Sequence, residues 1–487
     1  MFAEFVGRGY WAAAGLAAVV CVPLGALLWT LATRGRGLEA RLPQWRILLP
    51  AVLILGQLAF VPWVLRVATL TGDEPHYLTV AYSIARDGDL AVRNNYEAAD
   101  YAAFYPWQFV PSDFHLGPGG VYSVHAPGLS VLLAPVLAVA GRPGVTVQMT
   151  LMTILVMLMA WCLATQLGVN PARSLLIFVL LCFAPPVSAF SSLVLPEVPA
   201  AGLLTGSLIL LRPAEASWRR IAAAGVLLAG LPWLHVRFVV PLIAVIALQI
   251  VRPRGWVLPR FVMLVPVALS LVGVMFVQHT WFGSYSLTAG LGGWRDKLVS
   301  PFAGMAGLLV DQQYGLFTVA PIYVAAIAGW WWMMRRDRWL GVTVGTVAVL
   351  TWLTGATHPW WWGGESAAAR YLVSTVPFLG MAIAVSFDEV AGDRRRRWLL
   401  CTLLGLSLLS GMYFKVFPNA VPYGTDGLNY ALVRLETTLG WPMTRVLPSL
   451  VRRNELSYGL VAIEAAAIAV ATCFLLRRSP PSRIKYR

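Results

Sequence analysis

Thr71-Gly-Asp-Glu-Pro-His-Tyr-Leu-Thr-Val-Ala-Tyr-Ser-Ile-Ala-Arg-Asp-Gly-Asp89 is the first long polar stretch in a chain that is otherwise mostly apolar. It follows directly on the apolar run 47–70, so Asp73 and Glu74 fall at the mouth of a membrane helix. Pro75 suits a first helical turn, where its missing N–H is not needed. Tyr77, Val80, Ala81 and Ile84 then recur at helical spacing, which predicts a short amphipathic helix lying on the membrane. The two acids sit at its N-terminus, where the helix dipole favours the ionised form. An ionised carboxylate held there can act as a general base or bind a cation; the plainer alternative is a helix cap.

Outward from this stretch, composition sets the class. The chain has 487 residues, 58% of them hydrophobic and 12% charged, which fits a polytopic membrane protein and not a water-soluble domain. The run 11–31 is too long for a signal-peptide core and reads as a retained helix. All five cysteines lie in apolar runs, which argues against a disulfide framework or a thiolate metal site. The formal charge is +15, but the arginines are spread over short loops between apolar runs. That is the positive-inside signature, not a nucleic-acid-binding face.

About thirteen spans are expected, near 10–32, 47–70, 144–167, 174–194, 198–211, 221–235, 237–251, 261–281, 314–334, 339–356, 371–390, 398–414 and 456–476. Alternate loops are short and basic: Arg34, Arg36, Arg41 and Arg46; Arg212, Arg219 and Arg220; Arg252, Arg254 and Arg260; Arg335, Arg336 and Arg338; Arg394 to Arg397; and the tail from Arg477. These are expected to be cytoplasmic. The loops 71–143, 282–313, 357–370 and 415–455 are longer, aromatic and mixed in charge, and are expected to face outward. The apolar run 129–140 is too short to cross and reads as interfacial or folded back into the bilayer. A further amphipathic helix is expected around 428–439. No repeat of 20–50 residues is visible. Three parts follow: 1–46, an extra N-terminal span and basic loop; 47–390, the candidate catalytic module; and 391–487, C-terminal spans with an outer loop and basic tail.

The polar residues of interest map to the outward loops. Glu197 follows Pro196 at a span end, where an acid is costly and usually has a task, a solvated loop acid being the alternative. His235 and Arg237 stand where two short apolar runs meet at Pro232, and Arg237 needs an acid across the bundle or a phosphate. Asp311 and Gln312 open another span as pocket-lining candidates. In His358-Pro-Trp-Trp-Trp-Gly-Gly-Glu-Ser-Ala-Ala-Ala-Arg-Tyr371 the tryptophans suit the interfacial belt. Arg370 there suits a lipid phosphate, through forked charge-assisted hydrogen bonds.

Asp73-Glu74-Pro-His-Tyr with Asp87-Gly-Asp89, His125-Ala-Pro-Gly128, Pro196-Glu197, and Trp362-Gly-Gly with Arg370-Tyr371 resemble the bacterial GT-C membrane glycosyltransferases. The nearest pattern is the protein O-mannosyltransferase and aminoarabinose transferase branch, over roughly residues 47–390. The resemblance implies an all-α polytopic bundle, with interfacial helices in the first outer loop. It also implies a bacterial plasma-membrane location with an extracytoplasmic active site. The implied donor is a polyprenyl-phosphate sugar, and the implied acceptor is a cell-envelope glycan, lipid or protein. Asp73 would be the base, with Glu74 its neighbour; Arg370, and Arg237 with it, would hold the donor phosphate. His76, His125, Glu197, Asp311, Gln312, Trp362, Glu365 and Tyr371 are the candidate pocket residues. A divalent cation on Asp73 and Glu74 is left open. The chain departs from the pattern in an apparent extra leading span, and the lack of a large soluble C-terminal domain and of a Trp-Trp-Asp motif points away from a peptide acceptor.

The chemistry has its own logic. Outside the cell an activated sugar must arrive on a lipid, its leaving group is a phosphate, and the acceptor hydroxyl needs a base. Direct displacement inverts the anomeric centre, whereas a glycosyl-enzyme route needs two carboxyls about 5 Å apart. The competing class is a carrier or flippase of a lipid-linked glycan, which should place its charges at mid-span in broken helices. Here the acids fall at span ends.

Overall fold

The computed structural model describes residues 2–34, 44–108, 116–213, 216–252, 258–291, 301–420, 426–452 and 455–477. Arg36, Arg41, Arg254 and the tail from 478 lie outside them. The described chain is a helical bundle, with one two-stranded hairpin pairing Leu116–Gly117 and Gly120–Val121. Among the described residues eight helices are long and apolar enough to cross a membrane, and four shorter apolar helices accompany them. The expected spans near 221–235 and 314–334 are helical but broken. The first is Trp218–Ala229 followed by Leu231–Leu234. The second is Leu316–Val319, a 3-10 turn at Pro321–Val324, and Ala325–Arg336.

The stretch 128–165 is continuous helix interrupted at Gly141, whose φ of 57° and ψ of −160° are non-helical. Its 38 residues would extend about 57 Å if straight, well beyond a hydrocarbon core of about 30 Å. The break turns the segment before Gly141 away from the segment after it. The expected separation of 129–140 from the span that follows is therefore present, and a residue without Cβ makes it.

The segment Arg370–Glu389 is the centre of the bundle, 89% buried, while Leu456–Leu476 at 6% lies on the periphery. Helix Ala325–Arg336 packs closely on Val376–Glu389 because Gly329 has no side chain; a Cβ there would lie 1.8 Å from the Ala382 carbonyl oxygen.

Two charged layers mark opposite ends. At one, Arg173 donates to Asp388 at 2.5 Å, Arg336 bridges Asp388 at 2.9 Å and Glu389 at 2.7 Å, and Arg212 pairs with Asp337. At the other lie Asp73, Glu197, Arg237 and Arg370. Helices Glu197–Leu211 and the segment Arg370–Glu389 run from one layer to the other. The second has 20 residues, about 30 Å of helix and one membrane thickness.

Helix Glu74–Arg86 forms as expected and buries Tyr77, Leu78, Val80 and Ala81; Ile84 is only half-buried. Ser130 of the long kinked helix donates to the Tyr77 carbonyl at 2.8 Å and fastens the two together. Helix Tyr430–Leu439 occupies the second amphipathic site, with no buried residue.

Candidate active site

The stretch 71–74 is held before its helix begins. Gly72 has φ of +52°, and a Cβ there would come 3.2 Å from the Glu365 carbonyl oxygen. The Thr71 hydroxyl donates to that same carbonyl at 2.9 Å. The first polar loop and the 358–371 loop are therefore fastened together at the point where Asp73 emerges.

Asp73 occupies the N-cap position of Glu74–Arg86 but makes no side-chain cap bond, so the helix-cap alternative does not describe it. Its Oδ2 accepts from Arg370 Nη2, and its Oδ1 lies 3.9 Å from His125 Nε2. Burial works to raise its pKa, but the Arg370 charge, with His125 adding to it, holds the carboxyl well below the usual carboxylate range. Asp73 is ionised at neutral pH.

Glu74, one residue on, has a different task. It is buried, and its oxygens accept the Thr71 N–H at 3.1 Å and the Val194 N–H at 2.8 Å. Burial pushes its carboxyl up to about 7, against those two N–H donors. The two acids therefore do not converge as the expected pair. Among the described residues, no group of three or more His, Cys, Asp or Glu side chains is arranged to hold a metal ion.

Arg370 is the hub. Its Nε donates to Glu197 at 2.8 Å, its Nη1 to the Gly363 carbonyl at 2.9 Å and its Nη2 to Asp73. At 6% exposure it is a buried cation bonded on all three nitrogens, not the open phosphate fork expected from its place at a span mouth. Gly363 is the close-approach position here: its φ is +92°, and a Cβ would meet the Arg370 side chain at 2.9 Å.

Glu197 is 1% exposed and not a solvated loop acid. It lies in the first turn of Glu197–Leu211, where the helix dipole favours its charge. Its Oε1 accepts from both Arg370 and Arg237, so the chain Asp73–Arg370–Glu197–Arg237 alternates in sign and is neutral as a whole. The Arg237 guanidinium carbon sits 4.9 Å from the ring centres of both Tyr371 and Phe238.

Three polar atoms of this cluster are buried without a hydrogen-bond partner: Glu197 Oε2, Arg237 Nε and the Tyr77 hydroxyl. Native cores rarely leave such atoms bare, and water, an ion or a polar ligand ordinarily meets them.

Histidines surround the charges. His76 Nδ1 lies 2.8 Å from the Tyr96 hydroxyl, and its ring centre is 5.6 Å from that of His125. His235 Nδ1 accepts the Arg237 N–H at 3.1 Å. His358 Nδ1 lies 3.3 Å from the Tyr371 hydroxyl. Burial, partly opposed by Asp73, lowers the pKa of His125; burial and the two arginines bring His358 to about 4. His358 is neutral at pH 7.

The remaining expected pocket residues lie elsewhere. Asp311 accepts the N–H groups of Gln313, Tyr314 and Leu450, and Gln312 donates to the carbonyls of Thr444 and Leu447. These two side chains fasten the 426–452 segment; none of those bonds reaches the Asp73 cluster. Glu365 supplies its carbonyl to Thr71 while its side chain is exposed. Trp362 packs edge-on to Trp361 at 5.7 Å. Trp361 is fully buried and Trp360 is 59% exposed, so of the three tryptophans only Trp360 suits an interfacial belt. In the sequence Tyr77 belongs to an apolar face, and His235 stands where two short apolar runs meet. The sequence signal for His235 was its place two residues before Arg237 at a broken helix. A tyrosine on an apolar stripe offers no comparable signal.

This all-α polytopic bundle shares its fold with a solved structure of low sequence identity. A solved structure it resembles is ArnT from Cupriavidus metallidurans in the apo state, at a TM-score of 0.53 and 16% identity, covering 89% of this chain and 76% of that one. A second is the same protein bound to undecaprenyl phosphate, at a TM-score of 0.48 and 17% identity, with coverage of 89% and 76%. No protein-family model and no curated protein matches the chain.

Proposed function

We propose that the chain is a membrane glycosyltransferase that moves a sugar from a polyprenyl-phosphate donor to an acceptor hydroxyl on the extracytoplasmic face, with inversion. The observation that carries this reading is the buried Asp73–Arg370–Glu197–Arg237 chain with its three unpartnered atoms, set beside an apolar groove. The groove, of about 580 Å³, is walled by Val131, Leu155, Val156, Leu203 and Trp233 among others. Pro127 and Trp233 also line a second, smaller cavity that contains His125 and His235. An isoprenoid tail in the groove would therefore bring its phosphate toward Arg237.

Arg237, whose Nε is bare, neutralises that phosphate as the anomeric bond breaks and the electron pair leaves with oxygen. Asp73 accepts the hydrogen bond of the acceptor hydroxyl and takes its proton as the new carbon–oxygen bond forms. Its pairing with Arg370 keeps it ionised while positive charge grows at the anomeric carbon. Glu197 Oε2 and the Tyr77 hydroxyl are free to meet sugar hydroxyls. Inversion is the simpler outcome: Glu74 is turned to backbone amides, and the Arg370 guanidinium stands between Asp73 and Glu197. The acids and arginines cluster at one end of the bundle, which favours chemistry at an interface over a mid-membrane carrier.

The test is turnover by purified protein in detergent, with a polyprenyl-phosphate sugar and candidate envelope acceptors. Release of polyprenyl phosphate supports the reading. Lipid translocation in vesicles with no bond broken would replace it with the carrier.

A further inference from the structure

A third cavity has Glu74, but not Asp73, in its wall. Its wall includes Glu74, Arg142, Ser188, Thr69 and Lys415, at the ends of four helical segments. Its free interior, the room open to water centres, is about 40 Å³. That suffices for two or three waters or for one small oxyanion.

Lys415 is 4% exposed. It donates to the Ser191 hydroxyl at 2.8 Å and lies 6.0 Å from the Phe60 ring centre. Among the described residues no carboxylate lies within ion-pair distance of it. Burial disfavours the charged form of an amine whose only strong partner is a neutral hydroxyl, so an anion placed beside it would gain its charge. Arg142 follows the Gly141 kink and donates through Nη2 to the Ala68 carbonyl at 2.6 Å. The one acid on the wall, Glu74, has its oxygens on the N–H groups of Thr71 and Val194. Two hydroxyls on the wall have no partner: Ser188 Oγ, whose residue is 1% exposed, and Thr69 Oγ1. Two basic side chains and two idle hydroxyl donors around one small void suit a tetrahedral oxyanion.

We propose that this cavity is a phosphate-binding site, separate from the Asp73 cluster, in which Lys415 and Arg142 supply charge and Ser188 and Thr69 supply hydrogen bonds. The phosphate comes either free from solution or as the headgroup of an anionic lipid. The proposal does not rest on glycosyl transfer, because its readout is binding.

The full chain is placed in nanodiscs of phosphatidylcholine, and its thermal midpoint is followed against inorganic phosphate at constant ionic strength. The same is done in nanodiscs containing phosphatidylglycerol. A saturable rise with inorganic phosphate assigns the free anion, and a rise only with phosphatidylglycerol assigns the headgroup. In either case Lys415→Met weakens the response about tenfold or more, as loss of a charged hydrogen bond does. Ser188→Ala weakens it by a smaller factor. Should Lys415→Met not fold, Ser188→Ala and Arg142→Gln carry the comparison. No response in either nanodisc, or variants responding as the wild type does, overturns the proposal.

Discussion

At the scale of single residues, Asp73 and Glu74 are neighbours with opposite settings. Asp73 is held ionised by Arg370, whereas Glu74 is buried against two backbone amides with its carboxyl raised to about 7. Asp73→Asn keeps the shape but cannot take a proton, so turnover should fall about 100- to 10,000-fold with the fold intact. An Asn enzyme turning over at the wild-type rate would remove Asp73 from the chemistry. The two arginines should also separate. Arg370→Ala strands Asp73 and the buried Glu197 together and should cost about 3–5 kcal/mol of stability. Arg237→Gln leaves Arg370 on Glu197 and should raise the donor KM about 10- to 100-fold at little cost to the thermal midpoint. Equal loss of stability in both would contradict the division between hub and phosphate ligand. Sequence placed Asp73 and Arg370 at facing span mouths, which made both legible as site residues. It could not show that they bind each other, nor that Lys415 and Ser188 share a wall, because those contacts span hundreds of residues of chain.

At the scale of elements, apolar length and Pro/Gly punctuation made most spans legible. The 47–70 run is two helices, Trp45–Leu58 and Val61–Val67, with Pro62 opening the second. The short apolar helix Pro301–Val310 is not legible as a span, because ten residues cannot cross a membrane and it falls in the loop expected over 282–313. The turn before Glu74–Arg86 carries a pH prediction. Glu74 has an ordinary value of 4.5 in the unfolded chain and about 7 in the fold. A raised carboxyl means the folded state holds the proton longer, so its stabilisation is complete below 4.5 and is lost as pH rises through 7. The thermal midpoint of wild type should therefore decline over pH 4.5–7 relative to Glu74→Gln, which lacks that titration. Parallel curves for the two proteins would show that Glu74 is not buried as a proton-holding clamp.

At the scale of the whole molecule, the two charged layers and the arginine asymmetry make one claim about orientation. Arg212, Arg336 and the Asp388 pairs gather at one end, and the Asp73 cluster at the other, joined by helices about one membrane thick. Arginine-rich short loops stay in the cytoplasm, so the Asp73 end should face outward, where a sugar can arrive only on a lipid. Glu365 and Arg395 are exposed and lie at opposite ends of the segment Arg370–Glu389. Placed singly as cysteines in a chain whose five native cysteines are replaced, they should react from opposite sides of intact cells. Glu365→Cys should be blocked by an impermeant maleimide added outside, and Arg395→Cys only after the membrane is opened. Labelling of both from one side would break the two-layer orientation. Labelling with the sides reversed would keep the bundle but put the Asp73 cluster in the cytoplasm, where nucleotide sugars are at hand and the argument for a lipid-borne donor fails.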